Sequence, residues 1–198
     1  MKMSLSLSCS ALLALCVASM PALALEQTYS AVLSGAAENP PNASLGGGAA
    51  VITFDMALLT MRVQTTFAGL SGNVTASHIH CCTFAPGNAG VATQTPTFTD
   101  FPLGATFGSY DHTFDMTLSS SYNAPFITAN GGTVSTAFSA LLAGVDAGKA
   151  YLNIHSTFAP GGEIRGFLTA VPEPESFALL LSGLAVVGWV ARRQKRAA

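Results

Sequence analysis

Seven short runs rich in β-branched and aromatic residues, at 28–34, 49–55, 59–67, 74–80, 109–118, 151–155 and 163–170, follow one another with clusters of Gly, Pro, Asn and Ser between them. Runs of this length, closed by turn-forming residues, are strands. The second and third are separated by a short turn and read as a hairpin. Seven such strands predict an all-β sandwich or barrel. One segment has another period: Val134, Phe138, Leu141, Leu142 and Val145 recur at helical spacing after Gly131-Gly132 and a capping Thr133. They predict one short amphipathic helix, ended by Gly144 and Gly148, that packs as a crossover between sheets.

The two ends of the chain are of a different kind. Lys2, an apolar run from Leu5 to Val17 and the small residues Ala22-Leu23-Ala24 have the layout of a cleavable signal peptide, residues 1–24. At the other end, residues 177–191 are apolar and run directly into Arg192, Arg193, Lys195 and Arg196, a basic tail expected to stay in the cytoplasm. At 1.5 Å per residue that run is only about 22 Å long, against a hydrocarbon core of roughly 30 Å. A hydrophobic helix there is expected to hold the chain in the membrane under mismatch, as a transient anchor.

The intervening residues 25–170 form one expected domain. Up to Val171, Arg62, Lys149 and Arg165 stand against Glu26, Glu38, Asp55, Asp100, Asp111, Asp115, Asp146 and Glu163. That acidic balance excludes nucleic acid as an expected partner. Charged residues are 9% of the chain, so hydroxyl, amide and glycine backbone groups must carry the polar surface, which suits an exported β protein. Cys9 and Cys16 leave with the signal peptide, and Cys81 and Cys82 are neighbours. In an oxidising compartment they are candidates for a vicinal disulfide, a free dithiol, an intermolecular bridge or thiolate ligands to a metal.

Strand alternation puts His78 and His80 on one face of their strand. It also puts Tyr151, Asn153 and His155 on the face opposite Leu152 and Ile154. If the two strands are neighbours, His78, His80 and His155 meet outside the core, a candidate site for copper or zinc to which the cysteines could add sulfur. The plainer expectation is that each ring donates one hydrogen bond to a loop carbonyl and accepts another, pinning a turn with no metal. The segment Ile79-His80-Cys81-Cys82-Thr83-Phe84-Ala85-Pro86-Gly87 recurs, one residue shorter, as Ile154-His155-Ser156-Thr157-Phe158-Ala159-Pro160-Gly161, which favours equivalent strand ends. His112 is expected at the edge of the core, and Asp111 and Asp115 on the solvent side. No hydrolase, metalloprotease or phosphate-loop motif is present, and no catalytic residue is expected.

Val171-Pro172-Glu173-Pro174, the apolar run containing Leu179-Leu180-Leu181-Ser182-Gly183-Leu184, and the Arg192-Arg193-Gln194-Lys195-Arg196 tail resemble a PEP-CTERM sorting signal over residues 171–198. The resemblance implies Pro172, Glu173 and Pro174 as recognition residues for an exosortase. It further implies release from the inner membrane to the surface of Gram-negative, exopolysaccharide-making bacteria. The middle of the chain resembles a CHRD domain: Leu33-Ser34-Gly35-Ala36-Ala37-Glu38-Asn39-Pro40-Pro41, Gly69-Leu70, Ser77-His78-Ile79-His80, Tyr151-Leu152-Asn153-Ile154-His155 and Gly161-Gly162-Glu163-Ile164-Arg165-Gly166. That resemblance implies an immunoglobulin-like β-sandwich distantly like the Cu/Zn superoxide dismutases, without their full ligand set and without an activity to carry over. The combined expectation is a non-catalytic module at the cell surface or in the matrix, meeting exopolysaccharide or surface proteins. The alternative is a metal-binding or redox protein using the three histidines and the vicinal cysteines.

Overall fold

The computed structural model describes residues 26–172 and 174–197. The expected signal peptide and Glu173 of the sorting motif lie outside them. Eight strands form one curled antiparallel sheet. They are β1 (Glu26–Ser34), β2 (Gly47–Asp55), β3 (Thr60–Ala68), β4 (Val74–Cys81), β5 (Gly108–Asp115), β6 (Ala150–Ser156), β7 (Ile164–Phe167) and β8 (Thr169–Ala170). Their spatial order is β4-β6-β7-β1-β2-β3-β5, with β8 also on β1. All seven expected strands are present. The last divides in two at Leu168, and β5 stops at Asp115, whose carboxylate turns the chain by accepting from the Thr117 amide.

Local chemistry accounts for the connections. Asp55 accepts hydrogen bonds from the amides of Ala57 and Leu58, both at 2.8 Å, and so closes the β2–β3 hairpin. The helix α2 (Val134–Asp146), lying between β5 and β6, starts on a capping box in which Thr133 and Thr136 satisfy each other's backbone amides. Phe138 on its inner face meets the Phe54 ring edge-on at 6.2 Å. A shorter helix, α1 (Ala124–Ala129), was not legible, because six residues hold too little periodicity to show. Gly144 does not end α2 as expected but sits inside it, and Gly148 at φ +65° follows the end. The reason is packing: Cys81 and Cys82 are joined as a vicinal disulfide, and a Cβ on Gly144 would collide with both sulfurs.

Burial alternates strictly along β3 and closely along β1, β2 and β5, where one face carries the core and the other meets solvent. His112 is half-buried beside Phe114, and Asp111 is exposed and paired with Arg62 at 2.6 Å. On β4, β6 and β7 the alternation disappears, since nearly every residue is buried. Ile79, Leu152, Ile154 and Ile164 face the common core. Loops pack over the other face, where the polar residues His78, His80, Asn153 and Arg165 are themselves buried.

The C-terminal helix α3 (Pro174–Ala197) contains the expected 177–191 segment and continues through the basic tail. The expectation of a transmembrane helix is not met: among the described residues no helix is long and apolar enough to cross a membrane. The apolar portion is too short for the bilayer core, and the rest of the helix is charged.

Gly144→Ala is expected to cost about 1–3 kcal/mol in thermal or denaturant unfolding, as overpacking against a fixed neighbour does. The loss should shrink in a Cys81→Ala/Cys82→Ala background, where the colliding sulfurs are gone.

Candidate metal centre

β4 and β6 are hydrogen-bonded neighbours, with Ala76 opposite His155, His78 opposite Asn153 and His80 opposite Tyr151. Register and alternation therefore deliver His78, His80 and His155 to one patch of the covered face. Their ring centroids form a near-regular triangle of 5.2, 5.7 and 5.8 Å. One nitrogen from each ring lies within 4.8 Å of the other two.

Each ring uses its other nitrogen on a backbone carbonyl. His78 Nε2 bonds Pro96 O at 2.6 Å, His80 Nδ1 bonds Ala89 O at 2.9 Å, and His155 Nδ1 bonds Pro160 O at 2.9 Å. A carbonyl can only accept, so these nitrogens carry the protons, and the neutral tautomers are fixed. What remains is a bare lone pair on His78 Nδ1, His80 Nε2 and His155 Nε2. Half of the plainer expectation holds, because every ring donates to a loop carbonyl. The other half fails at His80, whose Nε2 is buried with no hydrogen-bond partner.

Between His78 Nδ1 and His155 Nε2 the separation is 3.3 Å. With both tautomers fixed as above, two lone pairs face each other there, which is repulsive until a cation comes between them. A proton could serve, but the surroundings oppose it. Burial holds all three imidazoles below their ordinary range, His80 down to about 4, and outweighs the carbonyl hydrogen bonds that favour protonation. A transition-metal ion bonded at about 2.0–2.1 Å to imidazole nitrogens sets them roughly 3.3–3.6 Å apart. The closest pair already meets that spacing. The carbonyl partners are the outer supports that ligating histidines usually have, fixing ring orientation and tautomer.

The cysteines do not contribute. They bond each other, and alternation puts Cys81 on the core face, opposite His80. The two copies of the internal echo are antiparallel neighbours, so their turns lie at opposite ends of the strand pair. They correspond in another way, since each is followed by a loop carbonyl that takes the Nδ1 proton of its histidine.

Two charged residues that were quoted only as family motif prove to build the cover. Arg165 is fully buried and reaches Ala37 O at 2.6 Å, Pro86 O at 2.7 Å, Asn88 Oδ1 at 2.7 Å and Gly87 O at 3.4 Å. Glu163, equally buried, accepts from Ser44, Ser156 and the amides of Ser71 and Gly72. Burial alone would raise its pKa, but these hydrogen bonds together hold it below the ordinary range. No metal-ligand or catalytic spacing marks either residue. The available signal was an isolated charge in a run otherwise buried, which demands a partner.

Glu38 lies beside Arg165, with Oε2 at 3.7 Å from Nε, too far to share a hydrogen bond. Burial pushes its carboxyl up to about 7, and Arg165 offsets this only in part. Its Oε1 and the Oδ1 of Asn153 are both buried without partners.

An exported all-β domain with a covered histidine cluster is the class that fold, site and C-terminal signal define. A family model for the CHRD domain matches residues 29–168, well over half of the chain, and one for the PEP-CTERM protein-sorting motif matches residues 170–196. The chain belongs to the CHRD domain family and carries a PEP-CTERM sorting signal, recognised by an exosortase. Comparison with curated proteins and with solved structures finds no match.

Because the Glu38 pKa is raised on folding, the folded state holds a proton between about pH 4.5 and 7 that the unfolded state has lost. Stability from this group is therefore full below pH 4.5 and declines as pH rises towards 7. Glu38→Gln, which cannot ionise, should gain about 2–3 kcal/mol relative to the parent between pH 5 and pH 8. Unfolding curves at both pH values check this, and a difference independent of pH would refute it.

Proposed function

We propose that this protein is delivered by exosortase processing to the cell surface or extracellular matrix. There its domain acts as a non-catalytic binding module whose ligand is a transition-metal ion held by His78, His80 and His155. The carrying observation is the convergence of three imidazole lone pairs whose opposite nitrogens are already committed. Imidazole suits copper and zinc among biological metals. Binding is favoured over catalysis because every ring N–H is spent on a carbonyl and every ring resists protonation, so none is poised to carry a proton. We read the curled sheet as an immunoglobulin-like sandwich of superoxide-dismutase type, supported by the way β4, β6 and β7 share one core with the remaining strands.

A transient stay in the inner membrane is part of the same proposal. Leu180, Leu181, Leu184, Val186, Val187 and Trp189 of α3 are exposed to solvent, a burial that water leaves undone. The Arg and Lys residues that follow would hold its end on the cytoplasmic side. Pro172 and Pro174, neither of which has a backbone donor, bracket Glu173 in the sequence just where α3 begins, which is where a membrane protease would take the chain as substrate. After release, exopolysaccharide or surface proteins are the partners that such a location offers.

The chain purified in mild detergent should contain close to one equivalent of copper or zinc by elemental analysis, and His80→Ala should lose it. Metal-free protein that takes up neither ion on titration would overturn the metal reading. Replacing Pro172, Glu173 and Pro174 together should leave an uncleaved, membrane-retained chain on fractionation. Equal release of parent and variant would count against exosortase handling.

A further inference from the structure

Resting on the reading of the three histidines as a metal site, we propose that the site selects monovalent copper over zinc and other divalent ions. The first ground is ligand charge. Among the described residues His78, His80 and His155 are the whole cluster, and neither a carboxylate nor a thiolate belongs to it. All three rings are neutral as the carbonyls of Pro96, Ala89 and Pro160 fix them. The ligand set therefore returns no negative charge to the ion, and the cost of burying that ion rises steeply with its charge.

The second ground is the neighbouring field. The Tyr151 ring stacks on His80 with centroids 4.9 Å apart, and the guanidinium carbon of Arg165 lies 4.7 Å from the Tyr151 centroid. Arg165 is fully buried, so little water screens its positive charge. Glu38, which could neutralise it, is itself biased towards the uncharged acid by burial. Repulsion from a fixed cation is twice as large for a divalent ion as for a monovalent one at the same point.

The third ground is coordination number. Zinc on three protein ligands completes a tetrahedron with water, and it lowers the charge of a neutral site by ionising that water. His78 and His80 are both more than nine-tenths buried, and the free nitrogen of His80 is closed off and partnerless. The carbonyls of Pro96, Ala89 and Pro160 each accept a ring N–H already. A monovalent copper ion is satisfied by three imidazoles in a plane and requires neither the water nor its ionisation. His155, the least buried of the three, marks the side from which an ion enters.

The test is a competition on the full chain, stripped of metal and kept under anaerobic conditions. Copper(I) is delivered from a chromogenic copper(I) chelator, with zinc(II) in tenfold excess. One equivalent of copper(I) taken up, with zinc left in solution, is the expected result. Zinc retained while copper(I) stays with the chelator overturns this inference and leaves the metal reading standing. Uptake of neither ion removes both. His155→Glu, at the most exposed position, supplies the missing negative ligand without disturbing the buried pair. It should shift the preference towards zinc by at least tenfold, and an unchanged ratio would overturn the charge argument.

Discussion

Arg165 heads the fully buried side chains among the described residues, and the covered face depends on how its guanidinium is satisfied. A buried cation must find acceptors, and here they are carbonyls at 37, 86 and 87 and the side chain of Asn88. These acceptors come from two loops far apart in sequence. Binding the guanidinium draws both loops down onto β4, β6 and β7, and that closure takes the histidines out of water. Glu163, two residues earlier, does the same for the segments around Ser44, Ser71 and Ser156. β7 thus carries a cation that gathers one group of loops, and Glu163, just ahead of that strand, is an anion that gathers another. Their mutual attraction matters less than the neutral groups each recruits.

This division explains why the two faces of β4 and β6 have such different chemistry. On the inner face Ile79, Leu152 and Ile154 join a core that needs only apolar volume. On the outer face His78, His80 and Asn153 are as buried as core residues but polar, so each must be satisfied individually. Among the described residues the buried side-chain atoms left unpartnered on this side are Glu38 Oε1, Asn153 Oδ1 and His80 Nε2, all acceptors when their groups are unprotonated or fixed as above. Each asks for a positive partner, a proton for the carboxyl and amide pair and, on the proposed reading, a metal ion for the imidazoles. Arg165 stands between these demands without filling either, because its own donors are directed at the loops.

Much of this was legible in the residues. Alternation alone placed His78 and His80 together and sent Tyr151, Asn153 and His155 away from Leu152 and Ile154, and adjacency of the two strands was the one further condition. The helix over 134–145 was legible because its apolar spacing and Thr133 agree. What alternation could not convey is that the outer face is covered, since burial by loops leaves no periodic mark. The tautomers were hidden for the same reason, being set by carbonyls of residues 89, 96 and 160 that only the fold brings near. Gly144 read as a helix terminator because glycine usually is one, whereas here the neighbouring disulfide excludes a side chain. The C-terminal apolar run over 177–191 was legible, but not that its helix extends through the basic tail, and the shortness of the apolar part is what keeps α3 from being a membrane span.

The adjacency of His80, Cys81 and Cys82 shows how a strand separates chemistries that a linear reading merges. A soft sulfur ligand next to a histidine invites assignment to one metal site. Yet consecutive residues of a strand point to opposite faces, so Cys81 is committed to the core as soon as His80 is committed to the cluster. Joining Cys81 to Cys82 removes both thiolates from competition for the ion and packs the sulfurs against α2 instead. The imidazoles are then left as a purely neutral ligand set. On the proposed metal reading the disulfide acts by exclusion: it keeps Cys81 and Cys82 from supplying the negative charge that would make the site hospitable to a divalent ion.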